Sequence, residues 1–465
     1  MKVKRQKLLL SIFGLVLLGG TTAVAMDHSM LIEGPFATGM EVTQTCLECH
    51  GDAAAEVMNT SHWHWNLEQE INGEKVARGK VNAINNFCVS IASNEPRCTS
   101  CHVGYGWEDD SFDFTDESRV DCLVCHDTTG TYSKTPAGAG MPDPQVDLLA
   151  VAQSVGKSSR QSCGACHFFG GGGDAVKHGD LDSSIIKPTR DIDVHMAVDG
   201  PDFSCTECHT TENHQISGHA MVVSPKGETH IGCVGCHDET PHNSPILNRH
   251  FNTVACQTCH IPTFAKDVAT KTAWDWSTAG KDQPVRNDEH GRPVYDKRKG
   301  DFTWGKNIVP HYAWYNGAAG AYQLGDKIDP AQVTELNYPL GSRTDLASKI
   351  YPFKIHTAKQ IYDSENMYLI TPKVFGFKGD TEAYWVNFDW QAAAQAGMKA
   401  SGLDYSGAYD FAPTVMYWRI NHMVAPKEQA LGCTDCHGKT SRLDWDQLGY
   451  GADPIRNRDL RRAKH

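Results

Sequence analysis

The sequence predicts a mainly α chain with much irregular structure and few or no β-strands, in which bound groups, more than side chains, form the core. Three observations carry this. Of the 465 residues, 17 are cysteine, and 16 of those fall in eight Cys-x-x-Cys-His repeats. Seven repeats crowd between Cys46 and His260, about 31 residues of chain each, too few to bury a bulky group separately at every one. Residues 261–432 carry no repeat and no strong strand alternation.

The chain opens with Lys2, Lys4, Arg5 and Lys7, an apolar run Leu8 to Leu18, and the small-residue segment Ala23-Val24-Ala25. These are the three parts of an export leader over residues 1–25, with cleavage expected after Ala25. The apolar run is shorter than the ~20 residues a membrane-spanning helix needs. Composition narrows the partners: 43 Lys+Arg against 56 Asp+Glu give a net charge of −13, which argues against nucleic acid. With 40% hydrophobic and 9% aromatic residues, neither a disordered chain nor a polytopic membrane protein fits.

The repeats pair Cys46 with Cys49 before His50, Cys98 with Cys101 before His102, Cys122 with Cys125 before His126, and Cys163 with Cys166 before His167. Cys205 and Cys208 precede His209, Cys233 and Cys236 precede His237, Cys256 and Cys259 precede His260, and Cys433 and Cys436 precede His437. Cysteines three apart lie on one face of a helical turn, where they reach the two vinyl groups of a haem while the next residue turns its imidazole to the iron. A helical turn is therefore expected at each repeat. Zinc ribbons and iron–sulfur clusters also use Cys-x-x-Cys pairs, but need no histidine after every second cysteine. The reading is eight c-type haems, each iron held on its proximal side by the repeat's histidine. Attachment of such haems belongs to the exported side of a bacterial membrane, so the leader and the repeats together place the chain in the periplasm.

Past the leader, residues 26–265 form a seven-haem region, 266–412 a haem-free cover rich in glycine and in tryptophans such as Trp274, Trp276, Trp304, Trp314, Trp385 and Trp390, and 413–465 a return to the eighth haem. These three are expected to make one continuous body. Alanine content marks a helix at 391–399.

Of 23 histidines, those outside the repeats outnumber the distal positions, so supply does not reveal whether an iron is left open. The distal candidates are His62, with His64 as its competitor, and His195, His214, His230, His242, His250, His356 and His422. His28 and His465 lie near the chain ends and rank below them. Two residues do not belong to a plain electron wire: Cys88, the odd thiol, which is reactive, paired between chains or simply buried, and Lys177. Four glycines, Gly170 to Gly173, precede that lysine and permit close backbone approach to a haem or ligand, or form a surface loop; no Walker-type Lys-Ser/Thr pair follows them.

With its eight repeats in a seven-plus-one layout, the sequence resembles the octahaem tetrathionate reductases, a family of periplasmic cytochromes c related to hydroxylamine oxidoreductase and the pentahaem nitrite reductase. The resemblance rests further on Ser61-His62-Trp63, Val103-Gly-Tyr-Gly-Trp107, the segment from Gly170 through Asp174 and Lys177-His178 to Asp180, Trp274-Asp-Trp-Ser-Thr-Ala-Gly280, and Ile420-Asn-His-Met-Val-Ala-Pro426. It implies that the haem of Cys98, Cys101 and His102 carries Lys177 as its distal ligand, with Cys88 and Asp174 nearby. It also implies two-electron reduction of tetrathionate to thiosulfate there. Lys177, Cys88, Asp174 and His178 are then the candidate catalytic residues, with Asp174 or His178 supplying or orienting protons.

The expected partners are a periplasmic or quinol-linked electron donor and a small inorganic anion. The same haem suits nitrite or hydroxylamine equally, and a non-catalytic electron-transfer cytochrome is the alternative from a different class. A calcium ion near the active haem is admitted but has no readable motif, and the sequence leaves the oligomeric state open.

Overall fold

The computed structural model describes residues 27–222 and 231–456. The expected leader, His230 and His465 lie outside the described residues.

The expectation of few or no strands is overturned: helix accounts for 23% of the chain and strand for 20%, and the strands include a nine-stranded sheet. Two small hairpins come first. Strands β1 (Asn66–Ile71) and β2 (Glu74–Gly79) pair antiparallel about Asn72-Gly73, whose φ angles of 54° and 87° make the two-residue turn that suits the twist of a hairpin. Strands β3 (Thr211–Glu212) and β4 (Gln215–Ile216) close a hairpin that carries His214 at its tip.

The large sheet occupies the stretch read from sequence as a cover. Its strands are β5 (Thr270–Asp275), β6 (Tyr295–Asp296), β7 (Gly300–Gly305), β8 (His311–Tyr315), β9 (Ala319–Ala321), β10 (Thr334–Pro339), β11 (Lys349–Asp363), β12 (Tyr368–Leu369) and β13 (Tyr409–Arg419). They lie in the order β6-β7-β5-β11-β13-β10-β9, with β8 and β12 also paired to β11. β11 is antiparallel to β13 from Phe353↔Arg419 to Asp363↔Tyr409 and parallel to β5 through Thr357↔Ala273. The boundary expected between residues 412 and 413 falls inside β13, so the return to the eighth repeat is part of the sheet. Alternation along β11 puts Lys354, His356 and Ala358 on one face, in register with Trp418, Met416 and Thr414 of β13. That face meets the loops around Asn86 and Lys177.

Elsewhere the helices are short. The helix expected at 391–399 spans Trp390–Ala400, with Asp389 accepting from the Gln391 and Ala392 N–H groups at its start. It packs in an aromatic cluster with Trp274, Trp276 and Tyr384. Its Gly397 faces the backbone of Thr371 and Pro372, where a Cβ would stand 1.8 Å from Thr371 O. Gly397→Ala should therefore push the helix off this segment and cost roughly 2–4 kcal/mol; thermal unfolding of the two proteins checks this, and an unchanged midpoint contradicts it. Among the described residues no helix is long and apolar enough to cross a membrane.

Every repeat lies at least partly in a helical turn, as its spacing requires. Two of these turns are set by caps: Thr38 and Glu41 cap the helix Gly39–Leu47 that delivers Cys46, and Ser159 with Ser162 caps Arg160–His167.

Candidate haem centres and candidate active site

Seven of the eight repeat histidines face a second histidine. The pairs are His28 with His50, His62 with His167, His126 with His214, His195 with His237, His209 with His422, His242 with His260, and His250 with His437; their ring centres are 6.0 to 6.4 Å apart. This spacing tests the fit of a haem. Two metal–imidazole bonds of about 2 Å in line, plus roughly 1.1 Å from each ring centre to its nitrogen, place two rings on one metal about 6 Å apart.

The outer nitrogens agree. Nδ1 lies 2.7 Å from Glu56 Oε2 in His214, 2.7 Å from Asp453 Oδ1 in His437, 3.2 Å from Asp180 Oδ2 in His422, and 2.8 Å from Gly156 O in His126. Nδ1 of His209, His242 and His250 likewise meets Ser217 O, Asn248 Oδ1 and Ile246 O. An Nδ1 held by an acceptor leaves Nε2 with its lone pair toward the partner ring, as metal-bound histidines have it. The fourteen rings thus fit seven irons with two imidazoles each.

Six distal candidates, His62, His195, His214, His242, His250 and His422, stand opposite a repeat histidine. His28 does so too, although it ranked low in the sequence for its place near the chain end; Asp27 caps the turn His28–Met30 by accepting from Ser29 N. His64 instead stacks on Phe114. His356 is a correction: it is fully buried on β11, and its Nδ1 lies 3.0 Å from Asn86 Oδ1, away from the histidine pairs.

Cysteines of different repeats touch. Cys46 meets Cys122, Cys101 meets Cys166, Cys163 meets Cys205, and Cys233 meets Cys256. The first repeat therefore adjoins the third, the sixth adjoins the seventh, and the fourth adjoins both the second and the fifth. This is the close packing that the repeat density demanded.

The second repeat is built differently. His102 is fully buried among Trp63, Trp65, Trp107, Phe112 and Phe114, with ring centres 4.8 to 6.4 Å away. Its Nε2 lies 2.7 Å from Trp63 O. Among the described residues no histidine ring faces His102, whose ring neighbours are these five aromatic side chains. Lys177 lies instead on the Cys98–Cys101 side: its amine and Cys101 act on each other electrostatically, and its Nζ stands 5.0 Å from the Trp418 ring centre and 5.9 Å from that of Phe87. Burial, with the charge of Lys80, pushes this amine down to about 8. Cys98, Cys101 and Lys177 thus fit a haem at this repeat, whereas His102 would have to leave the Trp63 carbonyl to join them.

The other candidates surround this point. Cys88 is half-buried and its sulfur meets that of Cys98. The hydrogen bond from Cys98 pushes the thiol down against burial, and the charges of Lys299 and Arg97 act in the same direction. A thioether at Cys98 has no proton to give, so in the haem-bearing chain the Lys299 charge, the Val89 backbone hydrogen bond and the Arg97 charge are what favour the thiolate. The His178 ring packs edge-on to Trp418 at 5.3 Å, and burial, then Lys177, hold it well below the usual histidine range. Asp174 does not aim at the repeat: its carboxylate accepts from Ser183 N at 3.0 Å and from Ser183 Oγ. Lys354, fully buried on β11, donates to Val176 O at 2.9 Å, Lys177 O at 3.0 Å and Thr270 Oγ1 at 2.6 Å, tying the Lys177 loop to the sheet. Among the described residues no three or more His, Cys, Asp or Glu side chains gather as a ligand cluster, for calcium or any other free ion.

Seven facing histidine pairs joined to Cys-x-x-Cys turns define a multihaem c-type cytochrome. Comparison with known proteins agrees. A family model described as bacterial cytochrome c matches residues 271–440. The crystal structure of an octahaem cytochrome c from Shewanella oneidensis is 57% identical, covers 95% of this chain and 100% of its own, and superposes with a TM-score of 0.90. An uncharacterised protein of Archaeoglobus fulgidus is 26% identical over 254 residues, 44% of this chain and 84% of its own. The chain belongs to the octahaem cytochromes c: it is a redox protein whose cofactors are c-type haems.

Proposed function

We propose that this cytochrome is an exported reductase that takes electrons from a periplasmic or quinol-linked donor and delivers them to tetrathionate at the second repeat. The observation that supports this is the asymmetry among the repeats: seven histidines meet a histidine, and the second repeat has a half-buried lysine, Lys177, beside its cysteines. Seven positions suit relay, and one is chemically distinct.

A c-type haem at the second repeat supplies electrons and an iron that can exchange a ligand. The residues do the rest. An amine held down to about 8 passes between neutral ligand and ammonium at small cost, so Lys177 can bind as the one and meet an anion as the other. Tetrathionate is a dianion, and two electrons break its central sulfur–sulfur bond to give two thiosulfates. The ammonium stabilises the charge that builds up on the separating ends. Cys88 lies where a thiolate can engage that bond by the chemistry of thiol–disulfide exchange. His178, neutral and packed on Trp418, orients a proton beside the lysine. Asp174 acts at one remove, fixing the loop through Ser183.

Anaerobic reoxidation of the fully reduced eight-haem protein by tetrathionate, nitrite and hydroxylamine tests this. Tetrathionate is expected to be turned over fastest. Cys88→Ser should lower that rate on the order of a hundredfold, the usual cost of losing one group that acts in the transition state. Preference for the nitrogen compounds sinks the sulfur reading, and slow reoxidation by all three leaves an electron relay.

A further inference from the structure

The sheet face that meets the second repeat carries positive charge without counter-ions. Among the described residues, none of Lys177, Lys271, Lys299 and Lys354 lies within ion-pair distance of a carboxylate. Lys354 is held by its three acceptors, and Lys177 belongs to the site already described. Lys271 and Lys299 are left without a role; burial pushes both amines below the usual lysine range, Lys271 well below it, so an anion arriving beside them would be met by protons drawn onto both.

Lys271, on β5, is 3% exposed. Its Nζ lies 3.9 Å from the ring centre of Trp274, 3.7 Å from that of Phe302 and 5.2 Å from that of Trp304, so aromatic faces support the charge while no anion neutralises it. Lys299 reaches in from the other side, its Nζ 5.6 Å from the Trp385 ring centre and 4.0 Å from where a Cβ on Gly172 would stand. Both lysines are close enough to Cys88 for their charges to act on its sulfur.

Unpartnered nitrogens complete the picture. Asn86 Nδ2 donates to His356 O at 2.7 Å, which fixes the amide and makes Asn86 Oδ1 the acceptor for His356 Nδ1–H at 3.0 Å. Among the described residues His356 Nε2 then remains fully buried and without a partner, within range of the Lys271 charge. The indole nitrogens of Trp385 and Trp418 are likewise buried and unpartnered. Two lysine amines and two indole N–H groups, with no carboxylate among them, are a donor set suited to an oxyanion, and the unprotonated His356 Nε2 beside them joins the donors when an anion draws a proton onto it.

We propose that Lys271, Lys299, His356 and Trp385 form an anion subsite beside Cys88 that takes a sulfonate end of a sulfur oxyanion. This inference deepens the tetrathionate reading and rests on it for the identity of the ligand. With one sulfonate held here and the other toward Lys177, the central sulfur–sulfur bond lies along the Cys88 sulfur.

The test does not use turnover. Cys88 is the one cysteine outside the repeats, so in the haem-loaded protein neutral iodoacetamide reports on it alone. Thiosulfate, as the probe anion, is expected to slow this labelling. Lys271→Met and Lys299→Met should each raise the thiosulfate concentration needed for half-protection about tenfold or more, and Lys271→Arg should restore most of it. Lys299 is only half-buried, so its variant keeps the test intact if Lys271→Met fails to fold. No protection in the wild type, or equal protection in Lys299→Met, overturns the subsite. Lysine-dependent protection without tetrathionate turnover keeps the subsite and fails the functional reading. Turnover with an unchanged KM in Lys299→Met does the reverse.

Discussion

Lys177→Leu is expected to lower tetrathionate reduction by about two to three orders of magnitude while all eight haems remain attached. Leucine is apolar like the Phe87 and Trp418 rings beside it but removes the one group that can be neutral toward a metal and charged toward an anion. The loss should fall on kcat more than on KM, because the ammonium acts on charge that develops as the sulfur–sulfur bond opens. Steady-state rates with a haem count by pyridine haemochrome check this. Unchanged turnover at full haem content removes the lysine from the mechanism.

The second large effect is structural. Lys354→Met should destabilise the fold by roughly 2–5 kcal/mol, since it strands the buried carbonyls of Val176 and Lys177 that Lys354 now satisfies. It should lower turnover as well, because the same bonds hold the backbone that presents Lys177. The effect has a pH signature. Burial pushes the folded Lys354 amine down to about 7, with the Asp180 charge opposing, whereas the unfolded amine keeps its proton to about 10.4. Across that window the unfolded state binds more protons, so wild-type stability gains with rising pH relative to Lys354→Met. Denaturant unfolding at pH 6 and pH 9 measures the gap; one that narrows toward pH 9 contradicts the assignment.

What the sequence revealed, and what it hid, follows from where the chemistry sits. The repeats were legible because covalent attachment fixes their spacing, and each brings its helical turn with it. Six of the histidines whose rings face a repeat histidine were legible from their nearness to repeats or their sharp local contexts. His28 was not, because position near a chain end says nothing about the Asp27 cap that holds it. The great sheet stayed hidden because the buried face of β11 carries Lys354, His356 and Gln360, so polar residues stand where an ordinary strand shows apolar ones. That reversal is itself the mark of a functional face, and it explains why the expected cover is a wall of the site. The β1–β2 hairpin did leave a sign, Asn72-Gly73. Nothing within Cys98 to His102 tells that its histidine meets the Trp63 carbonyl, which belongs to a residue 39 positions away.

The central claim is that one haem in eight differs from the rest. Low-temperature electron paramagnetic resonance with near-infrared magnetic circular dichroism on the oxidised eight-haem protein reads axial ligation directly. Seven bis-histidine centres and one with an amine ligand, the latter lost in Lys177→Leu, is the expected result. Eight equivalent bis-histidine centres, unchanged by that substitution, would contradict the account and leave the chain an electron relay.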